Sequence, residues 1–163
     1  MALASVAVFN SPAAHAASCG GAVGYPGDAA TTVEVANWMA NGAIAKKLPG
    51  ELPVMAGLVE SGLRNLNYGD ADSVGFFQMR TSFWDKAPYK GYLKNPDLQL
   101  QWFTDQAAAV RSNYIAKGKG DPATSDATYG VWIADIERPA AQYRGRYQPR
   151  LAEAQKLIAS TCI

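Results

Sequence analysis

The chain has 163 residues, 48% of them apolar, enough for one hydrophobic core and too few for two full domains. Lys plus Arg number 15 against 14 Asp plus Glu, so the cationic excess that attracts a nucleic-acid backbone is missing and nucleic acid is not an expected partner. One histidine and two cysteines, with no CxxC pair, leave no metal signature, and neither metal nor cofactor is expected.

Residues 1–16 carry an apolar run, Leu3 to Phe9, followed by Ala14-His15-Ala16, which has the small-x-small form of a signal-peptidase site, although no positive charge precedes the run. They are expected to be a signal segment, making the mature chain secreted or cell-wall associated. No later stretch is apolar for long enough to cross a bilayer, and the mature domain is expected to be a soluble monomer. The Gly-rich residues 17–30 read as a flexible lead-in and 31–163 as the folded domain. Cys19 and Cys162 flank that domain. Bridged in an oxidising compartment they would close a loop worth roughly 4 to 5 kcal/mol in the chain-entropy model; the alternative is two free thiols on frayed ends.

Thr31 to Glu34 has capping-box form, and Val35, Trp38, Met39, Ala43 and Ile44 recur at helical spacing, predicting a helix over 32–47. After Pro49-Gly50, Pro53 suits the first turn of a second helix with Val54, Met55, Leu58 and Val59, ended by Gly62. The run Val74 to Gln78 suggests a small hairpin or irregular β-like excursion. Asn95-Pro96 opens a long helix, read as the central scaffold, which stops before the Gly118 to Pro122 loop. Another helix is expected from Ser125 or Asp126 to about Ile136, interrupted by Pro139, and Pro149 begins a terminal one. The fold class predicted is mainly α, with several helices around a central helix and a small β-like excursion.

Glu60 falls in the last turn of the second, almost wholly apolar helix, where desolvation would raise its pKa, although Arg64 lies one turn on. A glycosidic oxygen needs a proton to leave, and a carboxylic acid delivers it near neutral pH only if its environment raises its pKa. Position alone would equally suit an ordinary surface carboxylate at a helix end.

The pattern Glu60-Ser61-Gly62, then a polar loop, then Gly75-Phe76-Phe77-Gln78-Met79 resembles the lytic transglycosylase (SLT-like) and goose-type lysozyme superfamily, whose members pair a Glu-Ser at a helix end with a downstream Gly-Leu-Met-Gln. The resemblance implies a lysozyme-like α+β domain in which Glu60 is the catalytic acid, Ser61 its partner serine and Gln78 a polar group of the saccharide cleft, with peptidoglycan glycan strands as the partner. Phe76-Phe77 replaces Leu-Met. The family's later Ala-Tyr-Asn has no clear counterpart in the stretch from Tyr129 to Asp135, which leaves Tyr129, Tyr143 and Tyr147 as candidates for the tyrosine that contacts the acid.

Ser73 stands where chicken-type lysozymes, which this stretch also resembles, carry a catalytic Asp, so the second carboxylate would have to be Asp70 or Asp72, both in an Asn/Gly/Asp-rich turn that commonly holds solvated Asp. With one carboxylate the implied reaction is lytic: cleavage between N-acetylmuramic acid and N-acetylglucosamine, with the muramic six-position hydroxyl closing a 1,6-anhydro ring. The alternatives are a hydrolytic lysozyme on the same fold and a noncatalytic glycan-binding module. Ser73, Tyr129, Trp132 and Tyr143 are further candidate substrate contacts, and Asp135, Glu137 and Arg138 sit at a helix end from which they could line the cleft. Arg144, Arg146 and Arg150, interleaved with Tyr143 and Tyr147, suit either a solvated helix start or a site for the lactyl or peptide carboxylates of peptidoglycan.

Overall fold

The computed structural model describes residues 24–159; the expected signal segment at 1–16, Cys19 and Cys162 lie outside the described residues. The described chain is mainly helical with one two-stranded sheet. Helix α1 (Thr32–Ala45) begins with the expected capping box: Thr31 Oγ1 accepts the Glu34 amide at 3.3 Å and the Thr31 amide donates to Glu34 Oε2 at 2.7 Å. It ends at Ala45 rather than near 47, because Lys47 takes a left-handed φ of 60° and the Leu48 amide turns back to the Ala43 carbonyl.

Helix α2 (Glu51–Glu60) buries Leu52, Pro53, Val54, Met55, Ala56 and Gly57 in succession. An amphipathic surface helix buries one stripe; unbroken burial means that α2 is enclosed on every side. It touches α1, α4 (Pro96–Ala116), α5 (Tyr129–Glu137) and α6 (Leu151–Ala159). The central helix is therefore α2 and not α4, which despite its 21 residues packs through its first half and leaves Ile115 exposed. A side chain at Gly57 would come within 2.9 Å of Leu63 and 3.3 Å of Met39, so the absence of a Cβ sets how closely α1 approaches.

Strands β1 (Ser73–Val74) and β2 (Met79–Arg80) pair antiparallel, Ser73 opposite Arg80 and Val74 opposite Met79. The expected hairpin is present, but of the run Val74 to Gln78 only the first residue lies in a strand, and 75–78 form the loop, with φ of 87° at Gly75 and 48° at Gln78. The reason is visible in the pair Phe76-Phe77, both 0% exposed. Consecutive residues of a strand point to opposite faces, and this hairpin has a core on one side, so burying both rings requires a turn. Phe76 meets Trp38 and Tyr25, while Phe77 stacks on Phe103 at 4.7 Å.

Residues 24–30 are not a loose lead. Tyr25 donates its amide to Asp97 Oδ1 at 3.1 Å, the same oxygen that accepts the Trp38 indole at 2.9 Å, and its ring lies edge-on to Trp38 at 5.1 Å. The segment after the hairpin holds a single helical turn, α3 (Thr81–Trp84), which sequence periodicity did not suggest. Short 3-10 turns at Asp126–Thr128 and Gln148–Arg150 lead into α5 and α6, delaying both by a few residues. A further one, Ala141–Arg146, follows α5. No described helix is long and apolar enough to cross a membrane.

Candidate active site

Glu60 is the last residue of α2. Past it the Ser61 and Leu63 amides both return to the Gly57 carbonyl, at 3.0 and 3.1 Å, and Gly62 (φ 63°) and Leu63 (φ 58°) reverse the chain. This stop leaves the Glu60 side chain half-buried at the mouth of an apolar helix. Tyr147, 1% exposed, donates its hydroxyl to Glu60 Oε1 at 2.6 Å. Burial raises the Glu60 pKa above its ordinary value, against the opposing pull of the Tyr147 hydrogen bond and the Arg146 charge. The Tyr147 phenol is itself pushed far up, by burial and then by the Glu60 charge, so it acts as a donor across the whole physiological range.

Glu137 closes α5, with Arg138 behind it in the left-handed region (φ 53°) as the cap. Its Oε1 is buried with no hydrogen-bond partner. Burial, reinforced by the charge of Glu60, holds its pKa well above the ordinary carboxylate range and favours its neutral form. Positions 60, 137 and 147 thus meet in one corner. Two contacts fix its spacing: the Gly130 amide donates to Gln148 Oε1 at 2.7 Å, and a Cβ at Gly130 would lie 2.6 Å from Gln148 Cβ. The start of α5 and the turn after Tyr147 are therefore pressed backbone against backbone.

The other expected site residues divide. Ser61 is buried and spans from the helix end to the hairpin, its hydroxyl 2.9 Å from the Phe76 carbonyl and 3.1 Å from that of Gly57. Gln78 Nε2 donates to the Gly75 and Tyr68 carbonyls at 3.1 and 3.2 Å. Both secure backbone around Glu60. Ser73 is buried in β1. Trp132 is 0% exposed and donates its indole N–H to the Ala107 carbonyl, which makes it a core residue rather than a sugar platform. Tyr129 is buried at the opposite end of α5 from Glu137, about 12 Å along the axis; its phenol is pushed up to about 12 by burial, then by Glu51 and Asp126. The tyrosine on the acid is Tyr147, not Tyr129 or Tyr143. Tyr143 is exposed and carries the Arg146 guanidinium 3.8 Å above its ring.

Asp72 accepts from the Ser82 amide at 2.6 Å and the Thr81 hydroxyl at 3.0 Å and pairs with Arg80, capping α3. Those bonds, first from Ser82 and then from Arg80, hold it well below the usual carboxylate range, which lowers its basicity. Asp70 is an exposed turn residue whose carbonyl accepts the Ser73 amide. The carboxylate that shares the surroundings of Glu60 is Glu137 instead. Its sequence position suggested a place near a cleft without pairing it to Glu60, and Asp135 beside it is engaged by Tyr114 and Arg144. Among the described residues no cluster of His, Cys, Asp or Glu is arranged to hold a metal ion.

Comparison with protein-family models, curated proteins and solved structures returned no match for this chain. Its chemistry rests on these residues.

Proposed function

We propose that the chain is a peptidoglycan lytic transglycosylase that cuts the β-1,4 bond between N-acetylmuramic acid and N-acetylglucosamine with Glu60 as its single acid and base. The observation that carries this reading is the state of Glu60: a half-buried carboxyl at the end of an apolar helix, its pKa raised by burial, with one oxygen held by Tyr147. A general acid needs a proton at working pH and a fixed direction in which to give it. Tyr147 occupies Oε1, which leaves Oε2 to face the glycosidic oxygen.

Glu60 protonates the departing oxygen and becomes a carboxylate, which the Tyr147 hydroxyl stabilises. That carboxylate then removes the proton of the muramic six-position hydroxyl as its oxygen attacks the anomeric carbon, closing a 1,6-anhydro ring and restoring the acid. The attack is intramolecular, so proximity replaces an activated water. A hydrolase needs a second, ionised carboxylate with room for water. Burial favours the neutral form of Glu137, whose Oε1 is out of reach of solvent, and Asp72 is spent on capping α3. This favours the lytic route over hydrolysis.

Digestion of purified peptidoglycan followed by mass spectrometry tests the reading. The expected fragments end in 1,6-anhydromuramic acid, each lighter by one water than the reducing-end equivalent. Reducing-end fragments would assign the chain to the lysozymes, and tight binding without release of fragments would make it a glycan-binding module.

A further inference from the structure

The turn that presents Tyr147 holds three arginines, and they are used differently. Arg144 pairs with Asp135 and also donates to the Ala134 carbonyl, while Arg150 pairs with Glu153 at 2.7 Å. Both are structural links. Arg146 is exposed and has no carboxylate in salt-bridge contact among the described residues. Instead its guanidinium lies 3.8 Å above the ring of the exposed Tyr143. A guanidinium resting over an aromatic face keeps N–H donors with which to take a carboxylate by two hydrogen bonds. Arg146 precedes Tyr147 directly, and its charge is felt at Glu60.

We infer that Arg146, held over the ring of Tyr143, is the recognition site for a carboxylate carried on the lactyl arm of the muramic residue next to the scissile bond. The inference rests on the proposed glycan-cleaving function and names the feature by which this site would tell an anionic strand from a neutral one. The placement of Arg146 also makes physical sense on these terms. Around Glu60 stand Tyr147 and Arg146 from the turn and Glu137 from α5, and of these Arg146 is the one cation. A bare cation beside an acid that must keep its proton works against it. A substrate carboxylate seated on Arg146 cancels that charge, so the acid is fully poised only when the anionic strand is bound.

The test measures binding in the Glu60→Gln background, where turnover cannot interfere. Three hexasaccharides of equal length are compared: neutral chitohexaose, an alternating N-acetylglucosamine–N-acetylmuramic acid strand whose lactyl carboxylates are free, and the same strand carrying stem peptides, in which the lactyl group is amidated and the carboxylates sit on the peptide. At least one anionic strand is expected to bind about tenfold tighter than chitohexaose at low salt, the gain one well-made ion pair supplies. Adding Arg146→Gln should bring that strand to within about twofold of chitohexaose, whose own binding stays unchanged, and Arg146→Lys should restore less than half of the lost preference in logarithmic terms. Preference for the free-lactyl strand alone places the carboxylate on the sugar; preference for the peptide strand alone places it on the stem. Equal binding of all three, or an Arg146→Gln variant that keeps its preference, overturns the inference. Circular dichroism confirms that each variant is folded. Failure of the wild-type chain to release peptidoglycan fragments would count against the proposed activity, whereas these binding ratios are read independently of it.

Discussion

Ser61 and Glu60 are adjacent in sequence and meet opposite fates. On the Ser61 side, polar atoms are spent on backbone. The Gln99 side chain, fully buried, accepts the Phe76 amide at 2.7 Å and donates to Asn65 Oδ1 and the Tyr92 carbonyl, Ser61 reaches the Phe76 carbonyl, and the Gly75 amide reaches the Leu66 carbonyl at 2.6 Å. On the Glu60 side, two carboxyl groups share one corner, with one tyrosine hydroxyl bonded to Glu60 and a Glu137 oxygen left without a partner. A satisfied polar network makes backbone rigid; an under-satisfied one holds a proton where water would have removed it. The hairpin is a mount, and the corner is what it positions.

The sharpest way to break this contrast is Glu60→Gln, which keeps shape and removes the proton. Cleavage of peptidoglycan should fall by about 10³-fold or more, with the melting temperature no lower than that of the parent, since a buried acid is exchanged for a neutral amide. A variant with near-parental release of muropeptides would remove Glu60 from the chemistry. On the mount side, Gln99→Ala leaves the buried Phe76 amide without an acceptor and opens a cavity, and should lower unfolding free energy in urea by about 3 kcal/mol. An equilibrium curve shifted by less than about 1 kcal/mol would mean that the network is not what holds the hairpin.

Tyr147→Phe sharpens the comparison from the corner. The phenol favours the ionised form of Glu60, so its loss should raise the Glu60 pKa further and destabilise the carboxylate left once the proton has been given to the leaving oxygen. The rate is expected to drop by about tenfold, with the alkaline limb of the pH profile displaced to higher pH. A limb displaced to lower pH would reverse the assigned role. Smaller in rate but distinctive in stability is Glu137→Gln. A group whose folded pKa is raised contributes stability below its unfolded value, near 4.5, and loses it as pH rises through the folded value. The parental melting temperature should therefore decline from about pH 4.5 upward in a way that the Glu137→Gln variant does not share, the gap growing to several degrees by about pH 8. Parallel curves would mean that Glu137 is solvated. Asp70→Asn, in an exposed turn, should change the rate by less than about twofold, whereas a hydrolase using it as base would be nearly silenced.

Much of the frame was legible because it is local. The capping box at Thr31 and Glu34, Pro53 early in α2 and Pro96 opening α4 each act on the residues beside them, and each appears where its chemistry puts it. Glu60 at the end of an apolar helix is local too, and its burial follows. What periodicity could not supply depends on distance: that Tyr147 rather than Tyr129 or Tyr143 reaches Glu60, that Glu137 shares its corner, and that Trp132 faces inward are outcomes of how α5 and the turns after it lie against α2. The hairpin itself was legible, and only the place of its loop was not. Val74 to Gln78 has the apolar character of a strand, and only the need to bury two neighbouring phenylalanines turns it into a loop.

The corner's chain positions carry a consequence for the life of the molecule. The acid lies at 60 and its partners at 137 and 147, so the bond between Glu60 and Tyr147 spans 87 residues. Closing so wide a loop is entropically slow, and contacts of such separation form late in folding. A chain emerging from synthesis makes α1, α2 and the hairpin with Glu60 still bathed in water, an ordinary carboxylate at neutral pH. Its pKa rises only when α5 and the turn bearing Tyr147 bury it against α2. On the proposed mechanism, an incompletely folded copy would lack its general acid, because the burial that raises the Glu60 pKa is completed by the last long-range elements to seat.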